Sequence, residues 1–215
     1  MTPPELLLTE LELDALTELV NIGVSNAATS LRKMLREEVL LSVPAIEIAN
    51  HAKAATLISQ REGDHLVAVR QAFTGALNGR ALLIFPEANG LELVRAVTGE
   101  YVSPQEAAAM EDEALAETGN VILNSCLSSM ANMLRRSLTM SLPQVVRGQG
   151  TELLRTAEGR EAGLVLFFYI NFVARDRSIR GYIAMLMDLP SLSALKLLVT
   201  DFIERVMGDD FGQDG

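Results

Sequence analysis

Apolar residues recur at helical spacing near the start of the chain, between positions 9 and 35. The recurring residues are Leu13, Leu16, Val20, Val24, Ala27, Leu31, Met34 and Leu35. Residues three and four positions apart share one side of a helix, so this pattern predicts a long helix with a core-facing side. Thr9 followed by Glu12 predicts a capping box at its start. Gly23 inside the helix costs about 1 kcal/mol relative to Ala, and we expect another backbone to approach it closely.

The rest of the chain alternates between strand-like and helix-like apolar patterns. Strands are predicted over 39–48, 65–74, 80–85, 138–146, 164–174 and 181–187. Helices are predicted over 52–59, 86–97, 105–136, 152–157 and 190–207. Pro44 marks an edge or a bulge of the first strand, because proline cannot donate to a sheet ladder. Strands in runs between helices favour an α+β fold over a wound parallel sheet.

A set of residues that begins on the first helix is repeated 99 residues later, and the two copies align without a gap. Each copy has an acid, a Glu, an Asn and a Pro at the same spacing, and the two sets are Asp14, Glu18, Asn21, Pro44 and Glu113, Glu117, Asn120, Pro143. A long internal period is typical of a chain built from two similar halves. We therefore predict one domain over 1–215 made of two repeats, about 9–99 and 105–207. The acidic, Gly-rich segment 208–215 is predicted to be a flexible tail.

The repeated polar residues suggest a specific kind of chemistry. Asp14, Glu18 and Asn21 follow helical spacing on a stripe about a third of a turn from the core side, and we expect them to face outward. A carboxamide offers a donor and an acceptor, which suits it to hold a water in line with a scissile phosphorus bond. A carboxylate one turn away can pair with a lysine or arginine of a partner. Such a site could speed the hydrolysis of a bond that is already labile.

The alternative interpretation is that these residues are ordinary solvated positions on a helix. A single Glu-x-x-Asn on an exposed helix face usually has no function beyond solubility, and its spacing alone is a weak signal. Two copies at equal offset are harder to dismiss, because each has the acid before it and the proline after it. The remaining structural alternative is that a duplication preserved a helix and not a site.

Composition narrows the possible functions further. The net charge of −10 argues against a nucleic-acid binder and fits a cytoplasmic protein. His51 and His65 stand outside the repeated motif and beside no Cys/His cluster, so no metal site is expected. The single cysteine, Cys126, excludes an internal disulfide and is expected to be a buried, inert thiol. The chain shows no signal peptide and no run of 18 apolar residues, so no membrane span is expected.

The two motif helices resemble the active-site helices of a known family. Glu18-Leu19-Val20-Asn21-Ile22-Gly23 and Glu117-Thr118-Gly119-Asn120 are similar to those of the CheC/CheX/FliY phosphatases of bacterial and archaeal chemotaxis. The first copy matches the family pattern in full, whereas Glu113 stands where the family has Asp or Ser. Two copies in one chain favour the CheC-like members. The resemblance implies an α+β fold with pseudo-two-fold internal duplication, intertwined halves, a central antiparallel-rich sheet and two long surface helices that carry the motifs.

The resemblance also implies an activity, the hydrolysis of the aspartyl phosphate of a CheY-type response regulator. Glu18 and Glu117 would pair with the active-site lysine of the regulator. Asn21 and Asn120 would enter its site and orient the attacking water. The regulator would supply the phospho-aspartate and Mg²⁺, so this chain itself would bind no cofactor.

The remaining motif positions and partners are less specific. Asp14 and Glu113 match the first, auxiliary position of the family pattern, and Pro44 and Pro143 look structural. A CheD-like receptor deamidase is a second candidate partner that the resemblance suggests. The alternative function is a non-catalytic adaptor that binds the phosphorylated regulator or a CheD-like partner through the same surfaces.

Overall fold

The fold is described from a computed structural model over residues 8–35, 38–43, 46–90, 103–155, 164–174 and 177–210. Its elements are α1 (Glu10–Leu35), β1 (Val39–Ser42), β2 (Ile46–Asn50), α2 (His51–Glu62), β3 (Leu66–Gly75), β4 (Gly79–Pro86), α3 (Pro104–Met133), β5 (Leu138–Met140), β6 (Gln144–Gly148), α4 (Gly150–Leu153), β7 (Leu164–Ala174), β8 (Arg177–Met187) and α5 (Leu189–Asp210). The mixed helix and sheet composition predicted from the sequence is confirmed.

The eight strands form one sheet in the order β1-β7-β8-β4-β3-β5, with β2 also on β7 and β6 also on β3. Every pair is antiparallel. Pairing crosses between the halves of the chain, because β1 and β2 lie on β7 whereas β5 and β6 lie on β3. The long motif helices are therefore attached to a sheet that neither half builds alone.

Two predicted strands are each divided in two. The predicted strand over 39–48 is β1 and β2, and the one over 138–146 is β5 and β6. On β7 the ladder passes from Ser42 opposite Asn171 to Ile46 opposite Phe168, so one side uses an extra residue. The interruption expected near Pro44 is thus confirmed, although Pro44 itself lies outside the described residues. A one-residue insertion of this kind bends the strand and increases its twist.

Other boundaries differ from the predictions by a few residues or lie outside the described part of the chain. The helix predicted over 152–157 is the shorter α4, which ends at Leu153. Residues 87–90 are helical, and the rest of the helix predicted over 86–97 falls outside the described residues. The last helix runs to Asp210, so 208–210, predicted as the start of a tail, are helical. Residues 211–215 are not described.

The sheet buries side chains on both faces. Successive residues of a strand point to opposite sides, so the long strands β3, β4, β7 and β8 each contribute to two cores. On β4, Leu83 and Phe85 pack in the core beneath α1, α3 and α5, whereas Leu82 and Ile84 pack in the core beneath α2 and α4. Helices therefore cover both faces, and the motif helices belong to the layer with three long helices. Within the described residues, no helix is both long enough and apolar enough to cross a membrane.

The first helix forms as its sequence pattern predicts. The Glu12 N–H donates to Thr9 Oγ1 at 3.2 Å, and the Thr9 N–H donates to Glu12 Oε2 at 2.7 Å, which confirms the capping box. The predicted core-facing stripe is also confirmed by residues with no exposed surface, namely Leu16, Val20, Val24, Ala27 and Leu31. The side chains of Met34 and Leu35 lie outside the described part.

Glu12 also joins α1 to α5. Its side chain is buried, Oε1 accepts a hydrogen bond from Thr200 Oγ1 at 2.9 Å, and Oε2 lies 4.0 Å from Lys196 Nζ. Burial by itself raises the pKa of Glu12, but the hydrogen bonds from Thr9 and Thr200 and the charge of Lys196 outweigh it and lower the pKa. The folded protein therefore holds this carboxylate in its charged form more firmly than the unfolded chain does.

We expect Glu12→Gln to reduce the free energy of unfolding by about 1–2 kcal/mol at pH 7, because one charged acceptor serves several donors. A pKa lowered by folding contributes stability above the unfolded pKa, and this contribution is lost as pH falls through the folded pKa. The difference between wild type and Glu12→Gln should therefore shrink from pH 7 to pH 3.5 in urea titrations. Glu10→Gln, an exposed acid of the same turn, is the control. An equal difference at both pH values would contradict the assignment.

Candidate active site

The first motif lies on the outer side of α1. Asp14 and Glu18 are exposed, and Asn21 is half-buried. This placement confirms the predicted outward stripe, since the core-facing positions of the same helix are fully buried. Glu18 and Asn21 are three residues apart and lie on neighbouring turns of one helix face. A carboxylate and a carboxamide are therefore presented side by side to an approaching molecule.

Asn21 is tethered to the segment that follows β1. Its Oδ1 accepts a hydrogen bond from the Val43 N–H at 3.1 Å. Val43 is buried and directly precedes Pro44. The sequence interpretation missed this contact, although the fixed spacing between Asn and Pro was its one visible signal. The bond fixes the oxygen end of the carboxamide inside the fold.

The second motif lies on α3 in a corresponding place. The helix begins with a capping box in which the Glu106 N–H donates to Ser103 Oγ at 3.3 Å and the Ser103 N–H donates to Glu106 Oε2 at 3.0 Å. Glu113 and Glu117 are exposed, and Asn120 is half-buried. These residues therefore face outward like those of the first motif, for which helical periodicity predicted this orientation.

Asn120 is held by side chains instead of by a backbone N–H. Its Oδ1 accepts hydrogen bonds from Gln71 Nε2 at 3.0 Å and from Asn124 Nδ2 at 2.8 Å. Gln71 Nε2 also donates to the carbonyl oxygen of Ser141 at 2.9 Å. The sequence interpretation missed both Gln71 and Asn124. The only signal for Gln71 was a polar residue in a β-strand row that is otherwise apolar.

The segment between β5 and β6 is arranged differently from its counterpart in the first half. Ser141 is bonded to β3, where its N–H donates to the Ala72 carbonyl at 2.9 Å and its Oγ accepts from the Ala72 N–H at 2.9 Å. Leu142, the counterpart of buried Val43 at the 99-residue offset, is 85% exposed. Pro143 follows it and is half-buried. The second site therefore has an exposed apolar side chain at its edge.

Both asparagines nevertheless leave the same atom, the amide nitrogen Nδ2, available to a partner. Oδ1 is engaged in each case, and among the residues that the structure describes Nδ2 of Asn21 and of Asn120 has no hydrogen-bond acceptor. Within the same residues, neither Glu18 nor Glu117 forms an ion pair within the chain. Each site therefore offers an amide donor and an unpaired carboxylate to a partner.

A charged cluster fixes the N-terminal part of α3 to β6. Arg147 Nη2 lies 2.7 Å from Asp112 Oδ1 and 3.4 Å from Glu111 Oε2, and its Nε lies 3.5 Å from Glu87 Oε1. The hydrogen bond to Asp112, together with the nearby acid charges, raises the pKa of Arg147 despite its partial burial. The cluster neutralises acids beside the second motif and leaves Glu113 and Glu117 unpaired.

The described part of the chain offers no grouping of three or more His, Cys, Asp and Glu side chains that could hold a metal ion. Burial raises the pKa of the Cys126 thiol to about 12, which agrees with the inert cysteine predicted from the sequence.

Two family models match this chain, and together they cover more than half of its length. Residues 67–168 match the model of the chemotaxis phosphatase CheX, and residues 11–48 match that of the CheC-like family. The second motif falls in the first match and the first motif falls in the second. The chain belongs to the CheC/CheX/FliY family.

Individual members of the family are distant relatives. The flagellar motor switch phosphatase FliY of Bacillus subtilis is 25% identical over 141 residues, 64% of this chain and 36% of that protein, so this chain spans about a third of it. The CheY-P phosphatase CheC of the same organism is 22% identical over 196 residues, 86% of this chain and 92% of CheC. The crystal structure of Thermotoga maritima FliY superposes with a TM-score of 0.70 at 18% identity and covers 91% of this chain and 99% of that chain. This structural match shows a common fold.

Proposed function

We propose that this protein hydrolyses the aspartyl phosphate of a CheY-type response regulator in chemotaxis signalling. The observation that carries the proposal is the shared build of the two sites, in which an exposed Glu stands beside an Asn with a fixed Oδ1 and an unpartnered Nδ2. The proposal is supported by the relative named CheY-P phosphatase CheC, of which this chain covers 92%.

Each residue has a distinct role in this proposal. Glu18 and Glu117 pair with a lysine of the regulator and bring its phosphorylated site against the helix. Asn21 and Asn120 reach toward the phosphoryl group and fix the attacking water. An N–H donated to one lone pair of that water leaves the other lone pair directed at phosphorus. Because an acyl phosphate is already labile, positioning of this kind supplies much of the acceleration.

The remaining groups have supporting roles. Asp14 and Glu113 extend the acidic surface on the N-terminal side of each site, and we assign structural roles to Pro44 and Pro143. The regulator supplies the phospho-aspartate and Mg²⁺, so this chain binds no cofactor of its own. We place the reaction in the cytoplasm. A CheD-like partner is not part of the proposal.

We further propose that the halves of the chain are two copies of one unit. The pairing of strands supports this, because the ladder on β3 slips by one residue between Phe73 opposite Met140 and Arg70 opposite Gln144. The ladder on β7 makes the same slip between β1 and β2. The halves would then be intertwined about a pseudo-two-fold axis, with one motif helix from each.

A single-turnover assay tests the phosphatase. A CheY-type regulator carrying radioactive phosphate is mixed with Mg²⁺, and the loss of label is followed with and without this protein. We expect the protein to accelerate the loss. Glu18→Gln with Glu117→Gln should raise the half-maximal protein concentration about 10-fold, because two charge-assisted pairs are lost.

The matched control neutralises two exposed acids outside the motifs, Glu10→Gln with Asp201→Asn. Its net charge therefore equals that of the Glu18→Gln, Glu117→Gln variant. It should bind almost as well as wild type. The proposal fails if wild-type protein leaves the decay unchanged for several regulators from the same organism. An equal effect of both double variants would assign the binding to overall charge and contradict the roles of Glu18 and Glu117.

A further inference from the structure

Gln71 occupies a position in β3 where its neighbours on the same face are apolar. Val67, Val69 and Phe73 lie in this row and pack in the core beneath the long helices. Gln71 is 1% exposed, and Nε2 donates both of its side-chain hydrogen bonds among the described residues. Its Oε1 is buried without a hydrogen-bond partner. An unsatisfied buried carbonyl costs about 1–3 kcal/mol, so stability alone does not account for a glutamine here.

Asn124 shows the same one-sided bonding. Its Nδ2 donates to Asn120 Oδ1 at 2.8 Å, while its own Oδ1 is buried without a partner. A carbonyl oxygen has two lone pairs, and Gln71 and Asn124 together fill both on Asn120. The carboxamide of Asn120 cannot turn without breaking these bonds. Its Nδ2 is therefore held in one direction, with no acceptor among the described residues.

The first site lacks this arrangement. At the 99-residue offset Gln71 corresponds to Ile170, which is buried, and Asn124 corresponds to Ser25, which is exposed. Asn21 is instead fixed by the Val43 N–H. An apolar residue is thus accommodated at the corresponding position of β7. The glutamine on β3 therefore serves something that is particular to the second site.

We propose that Gln71 and Asn124 are positioning residues of the second site, which hold Asn120 so that its Nδ2 faces the docked regulator. The inference rests on the proposed phosphatase function. It makes the two sites separable, because the second depends on Gln71 and the first does not. It also adds two residues from outside the repeated motif to the reaction.

The test uses proteins with one working site. The Asn21→Ala variant keeps only the second site intact, and the Asn120→Ala variant keeps only the first. Gln71→Ile, which copies the residue at the corresponding position, is added to each. With only the second site present, we expect the maximal rate of dephosphorylation to fall about 10-fold, because a misplaced group loses its alignment with the phosphorus. The half-maximal protein concentration should change less than twofold.

With only the first site present, Gln71→Ile should change neither the rate nor the half-maximal concentration. The melting temperature should change little, because removal of the buried, unpartnered Oε1 offsets the loss of the two hydrogen bonds that Nε2 donates. Asn124→Ser, which also copies the other half, removes one donor and should give a smaller loss that is again confined to the second site. This variant keeps the test decisive if Gln71→Ile does not fold.

A second readout does not depend on activity. The side-chain amide of Asn120 should be rigid in ¹⁵N relaxation, with an order parameter of about 0.85. In Gln71→Ile this order parameter should fall below about 0.6. The side-chain amide of Asn26, which donates to Ser129 Oγ at 3.0 Å, serves as an internal control and should not change.

The outcomes separate this inference from the proposed function. A mobile Asn120 amide in the wild-type protein overturns the inference whatever the activity. An equal rate loss when Gln71→Ile is added to both single-site proteins also overturns it. So does a rate at the second site that rises with Gln71→Ile, because Gln71 would then hold Asn120 back from the reaction. If wild type and both single-site proteins fail to accelerate the decay, the phosphatase proposal fails and the positioning role falls with it.

Discussion

The double variant Asn21→Ala, Asn120→Ala is expected to leave a phosphorylated CheY-type regulator decaying at its spontaneous rate. Each site has one carboxamide donor that is oriented by the fold and free of any acceptor among the described residues. Alanine removes that donor from both sites. Glu18 and Glu117 remain, so the regulator should still bind. We expect the maximal rate to fall at least 100-fold in the single-turnover assay, as for other groups that act by positioning.

A second pair of variants separates the role of Nδ2 from the integrity of the site. Asn21→Asp keeps an oxygen that can accept the Val43 N–H, and Asn120→Asp keeps one for Gln71 and Asn124. In both, an oxygen replaces the amide nitrogen. We expect the aspartate variants to be as inactive as the alanine variants while their melting temperatures stay closer to that of wild type.

The control exchanges two asparagines of the same helices that lie outside the motifs. Asn26 and Asn132 are exposed on α1 and α3. Their double alanine variant should retain nearly full activity. If the motif variants kept the wild-type rate, the water-positioning role would be wrong. If they lost the rate but also lost binding, the adaptor interpretation would gain weight, since the asparagines would then act as docking groups.

Much of α1 could be predicted because its determinants are close together in the sequence. The capping box joins residues three positions apart, and the buried stripe repeats at the helical period. The outward placement of Glu18 follows from the same periodicity. The close approach of another backbone that we expected at Gly23 is also confirmed, because the main chain of Cys126 leaves no room for a Cβ there. This expectation was possible because glycine is costly inside a helix.

Strand pairing could not be predicted in the same way. The apolar pattern of β1 marks a strand but does not select β7 as its partner, which lies more than 120 residues away. Side chains from distant strands complete the sites for the same reason. Asn120 depends on Gln71, 49 residues earlier. A stricter period-two interpretation of Val67, Val69, Gln71 and Phe73 would have marked Gln71 as an inward-facing polar residue.

The second large effect is expected at Gly23, where α1 and α3 touch through their backbones. A Cβ at this position would lie 2.7 Å from the Cα of Cys126 and 2.9 Å from its carbonyl oxygen. Real Cβ atoms do not approach backbone so closely, so the helices must separate. We expect Gly23→Ala to lower the free energy of unfolding by about 1–3 kcal/mol, the usual cost of overpacking, despite alanine's better helix propensity. Gly23→Leu should prevent folding.

Gly208 provides the matched control for this prediction. It lies near the end of α5, and a Cβ there would meet nothing within 4 Å. Gly208→Ala should therefore stabilise the protein by up to about 1 kcal/mol, since only helix propensity changes. Urea titrations of the two variants should thus give shifts of opposite sign. A stabilising Gly23→Ala would show that the helices are not in backbone contact.

The identity of the obstructing atoms gives the Gly23 prediction a further consequence. Because those atoms belong to the main chain of Cys126, shortening its side chain creates no room for a Cβ at position 23. Cys126→Ala should therefore fail to rescue Gly23→Ala, and the two losses of stability should add. Side chains that relieved each other would give a smaller combined loss. Since α1 and α3 each carry one motif, a protein that tolerates Gly23→Ala should retain both sites with an altered spacing between them.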